Sequence, residues 1–473
     1  MRDTLEAHAH PAPGYHAGEG WDEAFEKGVV RRDYAQLMAS LAGADLADLR
    51  RRVDARLEQR DVVFGSATGP QPFEVDPIPR VLPEAEWEHL RAGLAQRARA
   101  LGAYAADVYA GREIVEAGVV PARVVDTADH HEPWLEGVPL DPAGCMAGLD
   151  LVRGADGVLR VLEDNFRTPS GIAYAATTRE VVDRELPGEH PRRADPAGAF
   201  DLLAAALADA APTGAQDPFV VLLSDGASNS AWWEHREIAR RTGIPLVAGE
   251  DLIVRRGRLH VRVPGSRARP VDVVYRRTDE DRLRDEHGKA TWIAEALLEP
   301  VRRGTVAVVN PLGSGVADDK LAHAYVEDMV RFYLHEEPLI EAVPTYDLGD
   351  PDTREAVIPR LAELVVKPRS GLGGHGVTVC SQATDDERRG VAALIEEHPE
   401  AWIAQETVAI STHPTVCDGR LEPRHVDLRP YVIGAGPRAR VAPVALTRVA
   451  FEAGSLVVNS AQNGGAKDTW LPA

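Results

Sequence analysis

Glu163-Asp164-Asn165-Phe166-Arg167-Thr168-Pro169-Ser170-Gly171 follows the mainly apolar run 158–162. Side chains alternate faces along an extended chain, so Glu163, Asn165 and Arg167 project together, while Leu162, Asp164 and Phe166 project oppositely. A carboxylate and an amide oxygen two residues apart suit Mg²⁺, a hard cation that takes oxygen ligands and keeps phosphate oxygens in its shell. Asp150 lies thirteen residues before Glu163. A hairpin from 149–152, turning at 154–157, brings Asp150 beside Glu163, where Arg167 can meet phosphate or a substrate carboxylate. Pro169-Ser170-Gly171 then ends the strand in a tight turn. Taken alone, E-x-N reads first as a surface strand end with an ordinary turn; the hairpin spacing and the N-x-R-x-P-S-G continuation are what add specificity.

Far along the chain stands a complementary segment. Val365-Val366-Lys367-Pro368 is followed by eight residues containing four glycines, Gly371, Gly373, Gly374 and Gly376. A loop of this composition can fold over a polyphosphate with its N–H groups inward, and Lys367 stands at its entrance. It is not a Walker A motif, since no G-K-[ST] follows, nor a GxGxxG opening a helix. A mobile glycine turn without ligand has the same appearance. Trp402–Val408 carries Gln405 and Glu406, which on such a strand can serve adenine and ribose; a polar break in a half-exposed strand is the plainer alternative. Lys320, at the start of a helix, is either a phosphate ligand or a solvated helix lysine. Asp427 and Arg429 share a strand face, as an internal ion pair or as part of a site. Arg448 is a single charge amid apolar neighbours and, if buried, requires a counter-charge or an anion.

The bulk properties set limits. At 473 residues the chain holds two or three domains. Hydrophobic content of 44% and charged content of 27% describe a soluble globular protein with ample core. A net charge of −21 argues against a nucleic-acid partner or an anionic membrane surface. Local basic pockets remain open around Arg276-Arg277, Arg424 and Arg429. Three cysteines without CxxC spacing argue against a disulfide framework or structural zinc. The N-terminal residues show no signal peptide, and no run approaches 18 apolar residues, so a cytoplasmic location is expected.

Four segments are expected. Residues 1–115 form a helical region, clearest at Pro83–Ala110, where Trp87, Leu90, Leu94, Ala98, Leu101 and Tyr104 recur at helical spacing. Residues 116–215 contain strands at Val119–Asp126 and Gly157–Asp164 and close on a proline-rich boundary around an Ala197–Ala211 helix. Residues 216–315 read as a βαβ-type unit, with strands at Phe219–Leu223 and Pro245–Ala248 flanking a helix. Residues 316–473 open on a helix, pass a loop at Pro344–Pro359, and become strand-rich, with strands at Leu364–Lys367, Val377–Cys380, Trp402–Val408, Val426–Ile433, Pro443–Glu452 and Leu456–Asn459 around an Asp385–Glu397 helix.

Together these segments resemble the ATP-grasp superfamily, in its circularly permuted branch. The usual family order places the α/β unit first, the lysines and glycine lid next, and the metal strands last; here the metal strands precede both. The D-x12-E-x-N spacing is similar to that of D-alanine ligases, and glutathione synthetases of eukaryotic type share the permuted order. The nearest resemblance is to the bacterial circularly permuted type 2 ATP-grasp proteins, over about Tyr34 to Pro472. It is carried by blocks such as Asp76–Arg80, Tyr275-Arg276-Arg277, Val316–Lys320, Asp427–Pro430, Thr447-Arg448-Val449 and Gly464–Trp470.

The resemblance implies an α/β ATP-grasp fold, permuted, with an inserted Rossmann-like pre-ATP-grasp domain and a helical N-terminal region. It implies ATP and Mg²⁺, the metal on Asp150, Glu163 and Asn165, the phosphates on Lys320 and Lys367 under the Gly371–Gly376 lid. Arg448 and Arg167, then Arg429 and Arg276, are the expected clamp on an acyl phosphate. The implied reaction joins a small-molecule carboxylate to an amine, on an amino acid or small peptide. A phosphotransferase on a small carboxylate and a non-catalytic nucleotide-binding protein are the alternatives, and a homodimer is entertained. One departure stands out: Arg369 and Ser370 follow the lid lysine where glutathione synthetases carry an acidic metal ligand.

Overall fold

Asp150 and Glu163 face each other across an antiparallel hairpin formed by Met146–Arg153 and Leu159–Asn165. Register slips by one residue directly beside this pair, leaving Leu162 as the extra residue of a bulge. The hairpin is the edge of the largest sheet. Moving inward come Arg420–Ile433, Arg440–Ala450, Gly464–Trp470 and finally Val75–Val81, with Thr412–Cys417 paired to the first half of Arg420–Ile433. The central sheet is therefore built from the N-terminal, middle and C-terminal thirds of the chain. The computed structural model describes residues 14–18, 20–66, 69–262, 267–371, 376–456 and 464–473.

A second sheet is wholly parallel, in the order Ala307–Val309, Val273–Arg277, Val220–Ser224, Leu246–Val247. The helix Trp232–Thr242 makes its first crossover. A third, antiparallel sheet carries the lysine strand, in the order Thr345–Asp347, Trp402–Glu406, Leu364–Pro368, Thr378–Val379. The molecule is thus a mixed α/β structure whose three sheets meet around one space.

The long helix Glu84–Val108 ties the first and second halves together. Its helical spacing buries Trp87, Leu90, Leu94, Ala98, Leu101 and Tyr104, each large side chain contributing about 1.5–3 kcal/mol. Two acids in its first turn complement the helix dipole. The same face delivers Arg97 to Asp164, through Nε–Oδ1 at 2.6 Å and Nη2–Oδ2 at 2.7 Å. Asp164, pointing away from Glu163 as strand alternation requires, is thereby a structural anchor shared with His323 (2.6 Å).

Several sequence expectations require correction. The region expected to be helical, 1–115, also contains strands Val63–Ser66, Gly69–Pro72 and Val75–Val81. The last of these, rich in Val, Ile and Pro, pairs in parallel with Gly464–Trp470, a partner nearly four hundred residues away. The Val119–Asp126 segment is not a strand: Pro121 opens the short helix Ala122–Asp126, and a valine run of that length is periodic neither way. The Pro344–Pro359 loop holds the strand Thr345–Asp347 and the helix Pro351–Val357, capped by Asp350 through Thr353 N–H. Strand Thr412–Cys417, with proline inside it, was also not expected. The expected strand Leu456–Asn459 falls largely outside the described residues, as do Gly373 and Gly374. Among the described residues, no helix is long and apolar enough to cross a membrane.

Candidate functional site

A cavity of about 540 Å³ opens where the three sheets converge. The central sheet contributes Asp150, Glu163, Asn165, Asp427, Arg429 and Arg448. The lysine sheet contributes Lys367, Gln405 and Glu406, and the helix start after the parallel sheet contributes Asp318 and Lys320. Arg167 lies at the turn between them, and Arg277 enters from the carboxyl end of the parallel sheet.

The two distant segments meet at the lysines. Lys320 Nζ lies 3.5 Å from Glu163 Oε1 and donates to the Gly371 carbonyl at 2.7 Å. Asp319 caps the helix that begins at Lys320, accepting from Leu321 N–H, which aims the lysine at the strand end. Lys367 Nζ donates to Gln405 Oε1 at 2.6 Å, and Gln405 Nε2 donates to Thr345 Oγ1 and the Leu162 carbonyl. Gln405 therefore holds the lysine strand to the acid hairpin, and its side chain is occupied by that task. Burial lowers the Lys367 pKa from its ordinary value, Lys320 adds to the lowering, and Glu163 and Asp150 oppose it. A lysine so placed gains from an incoming phosphate charge. Glu406 lines the cavity while accepting from Tyr346 Oη and Arg360.

The arginines are arranged differently from a free clamp. Arg429 grips Asp150 with two bonds, and Arg448 Nη2 reaches the same carboxylate at 2.8 Å. Arg448 also pairs with Asp427, its cross-strand neighbour. The four groups form a chain of alternating charge, Arg429–Asp150–Arg448–Asp427. Burial alone would raise the Asp150 pKa, but the two guanidinium groups outweigh it and hold the carboxyl below its usual range. Asp427, facing Arg448 and the like charge of Asp150, is raised, with burial the largest cause. The internal ion pair left open at Asp427 is thus formed, with Arg448 rather than Arg429.

The donor set fits a hard cation in part. Glu163 is half-buried with Lys320 as its sole ion-pair partner among the described residues. The Asn165 amide nitrogen is buried without a hydrogen-bond partner among the described residues. Asp150, by contrast, has both oxygens occupied by guanidinium groups. Among the described residues, no group of three or more His, Cys, Asp or Glu side chains is placed to hold a metal. The expected departure at Arg369 has a structural explanation: its guanidinium pairs with Asp319 at 2.8 Å and donates to Thr127 Oγ1 and the Val124 carbonyl.

Arg276 does not line the cavity. Along Val273–Arg277 the side chains alternate, so Arg277 faces in and Arg276 faces the opposite layer. There its nearest acid is Asp281, at 3.8 Å, which also sits 3.4 Å from Arg167 Nε. Arg424 likewise lies outside the lining, bonded to the Phe451 carbonyl and Glu422. Arg167 does line the cavity, steadied by His130 and Asp281, while Asp318 accepts the backbone N–H of Phe166 and Arg167.

Sequence reading missed a second group. Glu234 is fully buried on the parallel-sheet helix and accepts Gly171 N–H at 2.8 Å and Ala173 N–H at 3.0 Å. Its other oxygen pairs with Arg277, which donates to the Pro169 carbonyl at 2.7 Å. These bonds fix the Pro-Ser-Gly turn. Gly171 has φ +118°, and a Cβ there would stand 2.1 Å from Tyr431 Oη, so the turn admits glycine alone. Arg277 was discoverable from strand parity in Tyr-Arg-Arg. Glu234, lone in a helix, gave no signal.

Similarity to known proteins now has a geometric context. The model of the family described as circularly permuted ATP-grasp type 2 matches residues 79–450. An uncharacterized protein of Mycobacterium tuberculosis is 40% identical over 464 residues, covering 95% of this chain and 84% of its own. A putative glutamate–cysteine ligase of Frankia casuarinae is 43% identical over 468 residues, but this chain spans only 54% of that protein. A solved structure of a glutathione synthetase-like effector from Globodera pallida superposes with a TM-score of 0.59 over 90% of this chain and 98% of its own. At 12% identity that likeness shows the fold alone. The chain belongs to the circularly permuted type 2 ATP-grasp family, within the ATP-grasp superfamily.

Proposed function

We propose that this chain is an ADP-forming carboxylate–amine ligase that acts through an acyl phosphate on an amino acid or small peptide. One observation carries the reading: Lys320 and Lys367, from the later half, meet Glu163, from the earlier half, in one cavity. Lys320 and Lys367 take the ATP phosphates, and the residues from Gly371 to Gly376 cover them. The parallel-sheet segment corresponds to the inserted pre-ATP-grasp unit of the family.

Glu163 and the Asn165 amide oxygen are the residues that would hold Mg²⁺, with Asp150 the remaining acid of the set once a guanidinium yields. When bound, that ion would supply neutralisation of phosphate charge. A substrate carboxylate oxygen attacks the γ-phosphorus, the bond to the bridging oxygen breaks, and ADP leaves. A neutral amine then attacks the acyl carbon, phosphate departs, and the nitrogen loses a proton. Arg167, Arg429 and Arg448 stabilise the charge that develops on the transferring group and on the tetrahedral oxygen. Water must be excluded, because it would hydrolyse the acyl phosphate.

The glutamate–cysteine name of the Frankia relative belongs to a protein of which this chain matches about half, so it assigns no substrate here. The test is ADP and phosphate release across amino acids and dipeptides, with mass detection of adducts. Release that requires both a carboxylate and an amine supports ligation. A stable phosphorylated product formed without an amine would replace it with phosphotransfer.

A further inference from the structure

The cavity extends past the Pro169–Gly171 turn into a region that the phosphate chemistry does not use. In the parallel sheet, Val220–Ser224 has Leu246–Val247 on one side and Val273–Arg277 on the other. The strand order reverses there, and open parallel sheets receive ligands outside the carboxyl ends of the strands at such a point. Asp225 and Asn229 follow the first strand, and Thr278 and Asp279 follow the second.

Asp279 is exposed within the cavity lining. Its Oδ1 accepts from Asn229 Nδ2 at 2.9 Å, and its own N–H donates to Asp225 Oδ2 at 2.6 Å. Its Oδ2 has no partner, and neither carboxylate forms an ion pair, among the described residues. The Asp279 carboxylate therefore offers an uncommitted oxygen in the cavity lining; partial burial, then the Asp225 charge, raise its pKa, while Arg167, Asn229 and Arg277 oppose the rise. Alongside, the Arg277 side chain is buried and its Nε has no partner among the described residues. The adjoining wall is aromatic. Phe64 and Phe73 stand 5.9 and 4.5 Å, centroid to centroid, from Tyr174. Gly65 fixes that wall: its N–H donates to the Ser230 carbonyl at 2.8 Å, and a Cβ there would lie 2.5 Å from Ser230 Cα. Ser230 follows Asn229, which bonds Asp279, so backbone and side-chain bonds link the strand of Phe64 to the carboxylate along one cavity wall.

We propose that this end of the cavity is the acyl-donor subsite, and that the donor is an α-amino acid or short peptide with a free ammonium and an apolar side chain. The ammonium sits against Asp279 and the side chain against Phe64, Phe73 and Tyr174. An ammonium held as a cation has no lone pair and cannot attack, so the molecule that carries it contributes the carboxylate. This assignment rests on the ligase reading for its role, but the subsite is testable without turnover.

The probes are L-leucine, L-leucylglycine, N-acetyl-L-leucine and glycine, titrated calorimetrically into the full chain with and without Mg-ATP. L-leucine or L-leucylglycine should bind at least about 10-fold more tightly than N-acetyl-L-leucine and than glycine, since both the ion pair and the apolar contact are needed. Asp279→Asn should weaken the better probe about 10-fold, and Phe64→Ala should bring leucine and glycine to within about 3-fold of each other. An ATP affinity within about 2-fold of wild type shows that each variant is folded. Equal binding of the acetylated probe, equal binding of glycine, or no binding of either leucine probe overturns the subsite. Leucine binding without ADP release for any carboxylate–amine pair would retain the subsite and sink the ligase reading. ADP release from other donors, with no leucine binding, would do the reverse.

Discussion

Glu163→Gln should remove activity and leave the protein standing. In the structure Glu163 makes one ion pair, to Lys320 at 3.5 Å, with 36% of its side chain exposed and 16% of the lysine's. A pair of this exposure is worth about 0–1 kcal/mol to folding, so the melting temperature should move little. The catalytic loss is of another size. Glu163 is the least committed acid facing the two phosphate lysines, and losing a charge-stabilising group of this kind costs about 3–4 kcal/mol of transition-state stabilisation, or 10²–10³ in kcat. Lys320 also loses its counter-charge, which should tighten Mg-free nucleotide binding while weakening the Mg²⁺ dependence. The assay is ADP release against Mg²⁺ concentration, with differential scanning fluorimetry on the same samples. Activity within about 3-fold of wild type at saturating Mg²⁺ would refute the assignment of Glu163 to the ion.

Asp150→Asn should behave in the opposite way, destabilising the fold by about 3–5 kcal/mol because it leaves Arg429 with no ion-pair partner among the described residues and Arg448 with Asp427 alone; urea titration measures it, and an unchanged midpoint would show that the ion-pair chain is not structural. ATP binding should take up protons at pH values below the ordinary lysine pKa, because phosphate charge raises the lowered pKa of Lys367. Calorimetry in buffers of different ionisation enthalpy detects the uptake, and Lys367→Met should abolish it. For folding, the sign is set by the unfolded chain, which binds more protons than the folded one in that window. The Lys367 contribution to stability therefore rises with pH up to the unfolded value. Gly171→Ala, with its Cβ 2.1 Å from Tyr431 Oη at φ +118°, should cost at least about 1 kcal/mol and depress kcat by displacing the turn, measured by thermal melting and ADP release.

The sequence by itself determined what depends on local periodicity and on short-range pairing. The thirteen-residue spacing specified the Asp150–Glu163 register, and strand alternation separated Glu163 from Asp164. Helical spacing specified Glu84–Val108. The order of motifs was enough to suggest the permuted family. Only the tertiary structure decided which charges are spent on each other. Arg429 and Arg448 are held by Asp150 and Asp427, Arg277 rather than Arg276 faces the cavity, and Glu234 holds a turn sixty residues away. It also placed Phe64 and Phe73 beside Tyr174. The reason is that a lone ion or ring carries no signal of its partner until the chain has folded: burial removes the water that would otherwise solvate it, and the nearest opposite charge or apolar face then fixes its role.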